Sequence, residues 1–156
     1  MRSSLKRLGK GLMNLRKTIN KIPDFCMSHW LLRIPLAIVF LQQGFAKWPF
    51  SVEDAAAFDL PPVVWLFVVL GEIGAGIGLL IGGIMYKPWF VILDKCYVPE
   101  IGDMITRFSG ITICSIMTGV IWTAQPDSFV DVILYDNFHV LLWVGGLFFA
   151  LRGNRT

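Results

Sequence analysis

Residues 63–84, VVWLFVVLGEIGAGIGLLIGGI, form an apolar run that carries one carboxylate, Glu72, near its middle. A helix needs about 20 apolar residues to cross the ~30 Å hydrocarbon core of a bilayer, so this run predicts a membrane helix. Gly74, Gly78 and Gly82 recur at four-residue spacing and predict a flank without side chains, on which a neighbouring helix packs closely. We therefore expect Glu72 to lie inside a helix bundle and not against lipid.

The composition of the whole chain is typical of a membrane protein. Its 156 residues are 55% hydrophobic and 16% charged, with a mean hydropathy of +0.64, and this lies outside the usual balance of soluble domains. The length allows one compact bundle. Its three cysteines include no CxxC pair, so they indicate neither a disulfide framework nor a two-cysteine redox centre.

Three further apolar segments predict helices that cross the bilayer. The four predicted crossings are residues 30–48, 63–84, 105–122 and 132–151. Residues 89–98 are apolar but too short to span, so they predict a segment at the membrane interface. The predicted fold class is all-α, with a four-transmembrane-helix bundle in a single membrane domain over residues 23–156.

Residues 1–22 carry leucine and isoleucine at alternating spacings of three and four, with lysine and arginine on the other faces. This pattern predicts a basic amphipathic helix ahead of the bundle, suited to an anionic membrane surface. Docking on a partner protein is an alternative. The segment is also similar to an organellar presequence, because it is rich in arginine and serine and contains no acidic residue.

The loops differ in their content of lysine and arginine. Basic residues are concentrated before the first crossing, between the second and third, and in the C-terminal tail, whereas the other two connections are poor in them. Because basic loops stay inside, both termini are predicted to be cytoplasmic. We expect the inner membrane of a bacterium, with an organellar membrane as the alternative.

Polar side chains in the predicted crossings come out at similar depths. At 1.5 Å of rise per residue, Glu72, His139 and Gln43 are predicted to share one layer, with Ser115 close to it. Ionisable residues at such depths are functional candidates, and a Glu72–His139 pair could exchange a proton or hold a quinone carbonyl. The alternative is that these groups only bond to each other and fix the helix packing.

Two cations, Arg33 and Lys47, lie near the two ends of the first predicted crossing. Arg33, Phe40, Gly44 and Lys47 are spaced 7, 4 and 3 apart and share one helix face. For the two cations we expect snorkelling to opposite membrane interfaces. No closely spaced set of histidine, cysteine and acidic residues appears in the sequence, so a metal site is not expected.

Several segments resemble those of DoxX-like membrane proteins. These are LLRIPLAIVFLQQGFAKW in the first crossing, GEIGAGIGLLIGG in the second and TRFSGITICSIMTGVIW in the third. The matching residues are Arg33, Gly44 and Lys47 in the first, Glu72, Gly76 and Gly82 in the second, Arg107 and Met117 in the third and, more loosely, Gly153 after the fourth. Residues 84–104 and the N-terminal helix are additions to the family pattern, and they look like docking features.

The resemblance implies a four-helix membrane bundle associated with sulfur or quinone-linked redox systems, such as the small DoxD subunit of thiosulfate:quinone oxidoreductase. We accordingly predict a subunit of a redox-linked membrane complex, with quinone as the expected ligand. Glu72 and His139 would form the proton or quinone site, and the ligand-binding residues would be Gln43, Ser115, Arg33, Lys47 and Arg107.

Two other functions stay open. The chain would serve as a non-catalytic assembly subunit if the glycine flank and the basic helix are its working surfaces. An oligomeric carrier for a small solute is the weaker alternative, because four helices enclose little volume. The expected partners are the lipid bilayer and either a larger redox complex or further copies of the chain. Nucleic acid is not expected.

Overall fold

A computed structural model of the protein describes residues 28–85, 98–124 and 128–154. These residues contain six helices and no strand, which confirms the predicted all-α class for this part of the chain. The helices are α1 (Ser28–Ala46), α2 (Val52–Ala57), α3 (Pro62–Met85), α4 (Val98–Thr123), α5 (Phe129–Tyr135) and α6 (Asn137–Arg152). The predicted basic helix over residues 1–22 lies outside the described residues, as does most of the predicted interfacial segment.

The four long helices α1, α3, α4 and α6 share one apolar core. Helix α3 packs along both α1 and α4, α4 packs along α6, and α6 touches α1. All four contribute to the core, whose buried members are Leu36, Ala37, Phe40, Ala75, Leu79, Ile113, Ile116, Met117, Leu142 and Phe149. The short helices α2 and α5 precede α3 and α6.

Two of the described helices are long and apolar enough to cross a membrane. These are α3, with 24 residues, and α4, with 26. Helix α6 is apolar but shorter, with 16 residues. Crossing by α1 and α6 therefore stays a prediction.

The boundaries of the last two predicted crossings differ from the structure. Helix α4 begins at Val98 and not near residue 105, because Pro99 lies in its first turn, where a proline without an N–H is tolerated. The predicted fourth crossing is two helices, since Asp136 leaves the helical conformation with φ −116° and ψ 40°. Its carboxylate instead bonds the ring of His139.

The predicted glycine flank of α3 is right for two of its three residues. A Cβ on Gly78 would lie 2.2 Å from Ser109 Oγ, and one on Gly82 would lie 2.7 Å from the backbone oxygen of Gly102, so both permit close packing on α4. Gly74 has nothing within 4 Å and was predicted wrongly. Each step of four residues turns the helix by about 40°, which rotates Gly74 away from α4.

A second set of glycines brings α1 against α3. A Cβ on Gly76 would lie 2.7 Å from the side chain of Leu41, and one on Gly83 would lie 2.9 Å from that of Arg33. On α1, a Cβ on Gly44 would lie 2.9 Å from the backbone nitrogen of Ile73. Residue numbers therefore rise along α1 as they fall along α3, so the two helices are antiparallel.

In this register the C-terminal end of α1 lies level with the middle of α3 and does not reach the level at which α3 begins. Gly44 lies beside Ile73, so the first residues of α3, roughly eight of them or about 12 Å, extend past the end of α1. The segment containing α2 covers them. Ala55 of α2 is fully buried, and the ring of Phe58 stacks on that of Trp65 with centroids 4.8 Å apart.

We predict that Gly82→Ala lowers the stability of the protein and that Gly74→Ala does not. Either change gains about 1 kcal/mol of helix propensity. At position 82, however, the new methyl would lie 2.4 Å from Thr106 Oγ1 and 2.7 Å from backbone, and such overpacking costs about 1–3 kcal/mol. Thermal unfolding in detergent should show a lower Tm for Gly82→Ala and an equal or higher Tm for Gly74→Ala. Equal shifts would contradict the packing described.

Candidate functional site

The carboxylate of Glu72 forms an ion pair with Lys47. The Nζ atom of Lys47 lies 2.5 Å from Oε1 of Glu72, and the Glu72 side chain is only 2% exposed while that of Lys47 is 22% exposed. Lys47 follows the last residue of α1, so its side chain reaches α3 from the turn that begins the α2 segment. The prediction that Glu72 is buried in the bundle is confirmed.

Two buried polar groups beside this ion pair have no hydrogen-bond partner in the part of the chain that the structure describes. One is the second carboxylate oxygen, Oε2 of Glu72, and the other is the indole N–H of Trp65. The seven-residue spacing puts both side chains on one face of α3, and Lys47 Nζ lies 5.7 Å from the centre of the Trp65 ring. Buried polar groups in proteins are nearly always paired, so an unused acceptor and an unused donor here indicate a site for a polar ligand.

His139 does not join Glu72, so the predicted Glu72–His139 pair is wrong. The His139 ring bonds the carboxylate of Asp136, and Oε2 of Glu72 bonds no histidine. The predicted crossing of residues 132–151 places His139 seven residues from its start, but α6 begins at Asn137. His139 therefore lies in the first turn of that helix, about 3 Å from its start.

The other members of the predicted polar layer lie on the outside. Gln43 is exposed. Ser115 is exposed as well, and its hydroxyl donates to the carbonyl of Ile111 at 2.9 Å. Neither residue is brought to Glu72 by a hydrogen bond, so the layer does not form as predicted.

Arg33 is completely buried, so the prediction that it snorkels to the interface is wrong. One terminal nitrogen donates to the carbonyl of Leu79 and, at 3.2 Å, to the hydroxyl of Thr106. The other donates to Oδ1 of Asn154 at 2.6 Å. The guanidinium carbon lies 4.6 Å from the centre of the Phe149 ring. One cation thus contacts α1, α3, α4 and the end of α6.

Asn154 completes this cluster after the end of α6. Its Oδ1 also accepts from Thr106 at 2.9 Å, and its side-chain nitrogen donates to the carbonyl of Gly82 at 2.9 Å. Its backbone N–H donates to Asp103 at 2.7 Å. The turn needs Gly153, whose φ is +63°, a left-handed conformation that glycine adopts without strain. We call Arg33, Thr106 and Asn154 the arginine cluster.

Arg107 caps the end of α6. Its guanidinium donates to Asp103 at 2.7 Å and to the carbonyls of Leu151 and Arg152 at 2.5 and 3.0 Å. The last carbonyls of a helix have no partners within the helix and carry partial negative charge, so a cation stabilises them. Arg33 and Arg107, both predicted to bind ligand, are therefore engaged in holding the bundle.

Sequence reasoning missed Asp103, Thr106, Asn154 and the role of Trp65. Asn154 had a usable signal, because Gly153 followed by a polar residue after an apolar helix is typical of a C-terminal cap. Asp103 lies in the predicted connection between the second and third crossings, and Thr106 lies at the start of the predicted third crossing, where no pattern distinguishes it. Within the described residues, no group of three or more histidine, cysteine, aspartate or glutamate side chains could hold a metal ion.

The chain matches one known family model, described as DoxX, over residues 29–88. This part of the chain is DoxX-like. The match spans α1, α2 and α3 and includes Arg33, Lys47, Trp65 and Glu72. No curated protein and no solved structure matches the chain. The DoxX match and the two long apolar helices together support a small membrane protein.

We predict that the Lys47–Glu72 pair is strongly coupled. Lys47→Met leaves a buried carboxylate without its cation and should lower the free energy of unfolding by about 3 kcal/mol. Adding Glu72→Leu removes that carboxylate, so the double variant should be more stable than Lys47→Met alone. A double-mutant cycle measured by unfolding in detergent micelles tests this, and additive single effects would contradict it.

Proposed function

We propose that this DoxX-like protein is a small integral membrane subunit of a redox-linked complex of quinone or sulfur oxidation. In this proposal a quinone head group binds at the Lys47–Glu72 pair. The observation that carries it is the pair of unused buried groups there, Oε2 of Glu72 and the indole N–H of Trp65.

The chemistry of these groups matches both forms of such a ligand. A quinone carbonyl accepts hydrogen bonds, which the indole of Trp65 and the ammonium of Lys47 can donate. A quinol hydroxyl donates to Oε2 of Glu72. Oxidation of the quinol releases two protons and two electrons; Glu72 accepts the proton of that hydroxyl, and the second proton passes to water. The electrons pass to a redox centre on a partner subunit.

Glu72 is shielded from the solvent while Lys47 is not. The carboxylate is 2% exposed and the lysine side chain 22%, so a proton taken up by Glu72 has its shortest route outward past Lys47. His139 has no part in this proposal, because its ring is bonded to Asp136. We further propose that both termini lie in the cytoplasm of a bacterium, since basic residues are concentrated in the terminal segments.

The alternative is a non-catalytic assembly subunit. In its favour, two of the cations predicted to bind ligand are instead engaged within the bundle. Arg33 is fully buried against Thr106 and Asn154, and Arg107 caps α6. If the Lys47–Glu72 pair is structural as well, the working surfaces would be the outside of the bundle and the parts of the chain beyond the described residues.

Titration of a short-chain ubiquinone analogue into the purified protein in detergent separates these functions. We expect saturable quenching of tryptophan fluorescence, with a component that Trp65→Phe removes. Glu72→Gln should raise the Kd at least tenfold, which corresponds to a loss of ~1.4 kcal/mol of binding free energy. Glu53→Gln, a change at an exposed carboxylate of α2, should leave the Kd unchanged. Unsaturable quenching that is equal in all variants would favour the assembly subunit.

A further inference from the structure

The outward face of α1 carries an apolar stripe that contains one amide. Five exposed residues follow each other at spacings of 3, 4, 4 and 3, namely Leu31, Ile34, Ile38, Gln42 and Phe45. This spacing puts them on one side of the helix. The opposite side holds Leu36, Ala37 and Phe40 in the core. Ile38 and Phe45 are 55% and 58% exposed, so nothing described covers the stripe.

Gln42 lies beside the middle of α3. Gly44 approaches Ile73, and Leu41 approaches Gly76, so Gln42 lies near the level of residue 74, half-way along Pro62–Met85. Helix α3 is long and apolar enough to cross a membrane. In the predicted crossing of α1, an amide at this level faces hydrocarbon, where a polar group without a hydrogen bond is costly.

Two hydroxyls of α4 at this depth are satisfied by their own helix, whereas Gln43, also exposed, lies about 100° around α1 and off the stripe. The hydroxyl of Thr112 donates to the carbonyl of Phe108 at 3.0 Å, and that of Ser115 donates to Ile111 at 2.9 Å. A glutamine side chain has two donors and an acceptor on a longer stem. The amide of Gln42 makes no hydrogen bond to any part of the chain that the structure describes.

We propose that this stripe is the contact between two copies of the chain, related by a two-fold axis along the membrane normal. Such an axis brings each residue against the same residue of its partner. A carboxamide is self-complementary, because its N–H and its C=O can pair with those of an identical group. Two Gln42 side chains therefore satisfy each other, and the stripe bears no charge that would oppose this pairing.

The stripe suits a helix of its own kind. Apolar residues at alternating spacings of three and four allow two parallel helices to interdigitate, and one polar residue in such a seam fixes its register. Glutamine is also among the residues that hydrogen-bond between membrane helices. Lys47 and Glu72 lie elsewhere, so the contact is independent of the proposed quinone site.

Cysteine cross-linking in native membranes tests the contact. In a full-length protein whose three native cysteines are replaced by alanine, Ile38→Cys should form a disulfide-linked dimer under mild oxidation. Ala37→Cys, one position away and buried in the core, should not. The proposal is overturned if Ile38→Cys stays monomeric or cross-links instead to a different protein.

Two adjacent glutamines provide the matched variants for the amide. Gln42→Leu should raise the dissociation constant of the dimer at least fivefold, as measured by light scattering in detergent. Gln43→Leu, at an equally exposed amide about 100° around the helix, should change it less than twofold. Equal effects of the two substitutions, or none for Gln42→Leu, would overturn the pairing.

Discussion

The guanidinium of Arg33 is the group on which the packing of the four long helices depends. From α1 it reaches a carbonyl of α3, a hydroxyl of α4 and the amide of Asn154 beyond α6. A buried cation is costly unless it finds acceptors, and here three separate parts of the chain supply them to its two terminal nitrogens, while Nε has no partner among the described residues. The glycine at position 83 leaves the room that the arginine occupies.

Lys47, the cation that follows α1, is used differently. Arg33 is surrounded by neutral acceptors and aromatic rings, whereas Lys47 pairs with a carboxylate that keeps one oxygen unused. The early end of α1 makes this possible, because it leaves the first turns of α3, which include Trp65, to be covered by the α2 segment. We therefore infer that Arg33 holds the helix bundle together and that Lys47 belongs to the proposed ligand site.

The sequence predicted the helices well where apolar length alone decides them. The first two predicted segments, 30–48 and 63–84, agree closely in extent with the helices Ser28–Ala46 and Pro62–Met85. The site was predicted less well, because it depends on side-chain bonds between distant residues. The buried guanidinium of Arg33 bonds the amide of Asn154, which lies 121 positions away in the sequence. Hydrophobic periodicity does not predict such a contact. The break at Asp136, which moved His139 to the start of α6, likewise depends on a local conformation and not on an apolar pattern.

Unfolding of two threonine variants tests the role of the arginine cluster most directly. Thr106→Val keeps the side-chain shape but removes a hydroxyl that accepts from Arg33 and donates to Asn154. Because buried partners are left unsatisfied, we predict a loss of about 1–3 kcal/mol in the free energy of unfolding. Thr112→Val removes a hydroxyl bonded only to its own helix, and its loss should be within about 0.5 kcal/mol. Equal losses in the two variants would contradict the account.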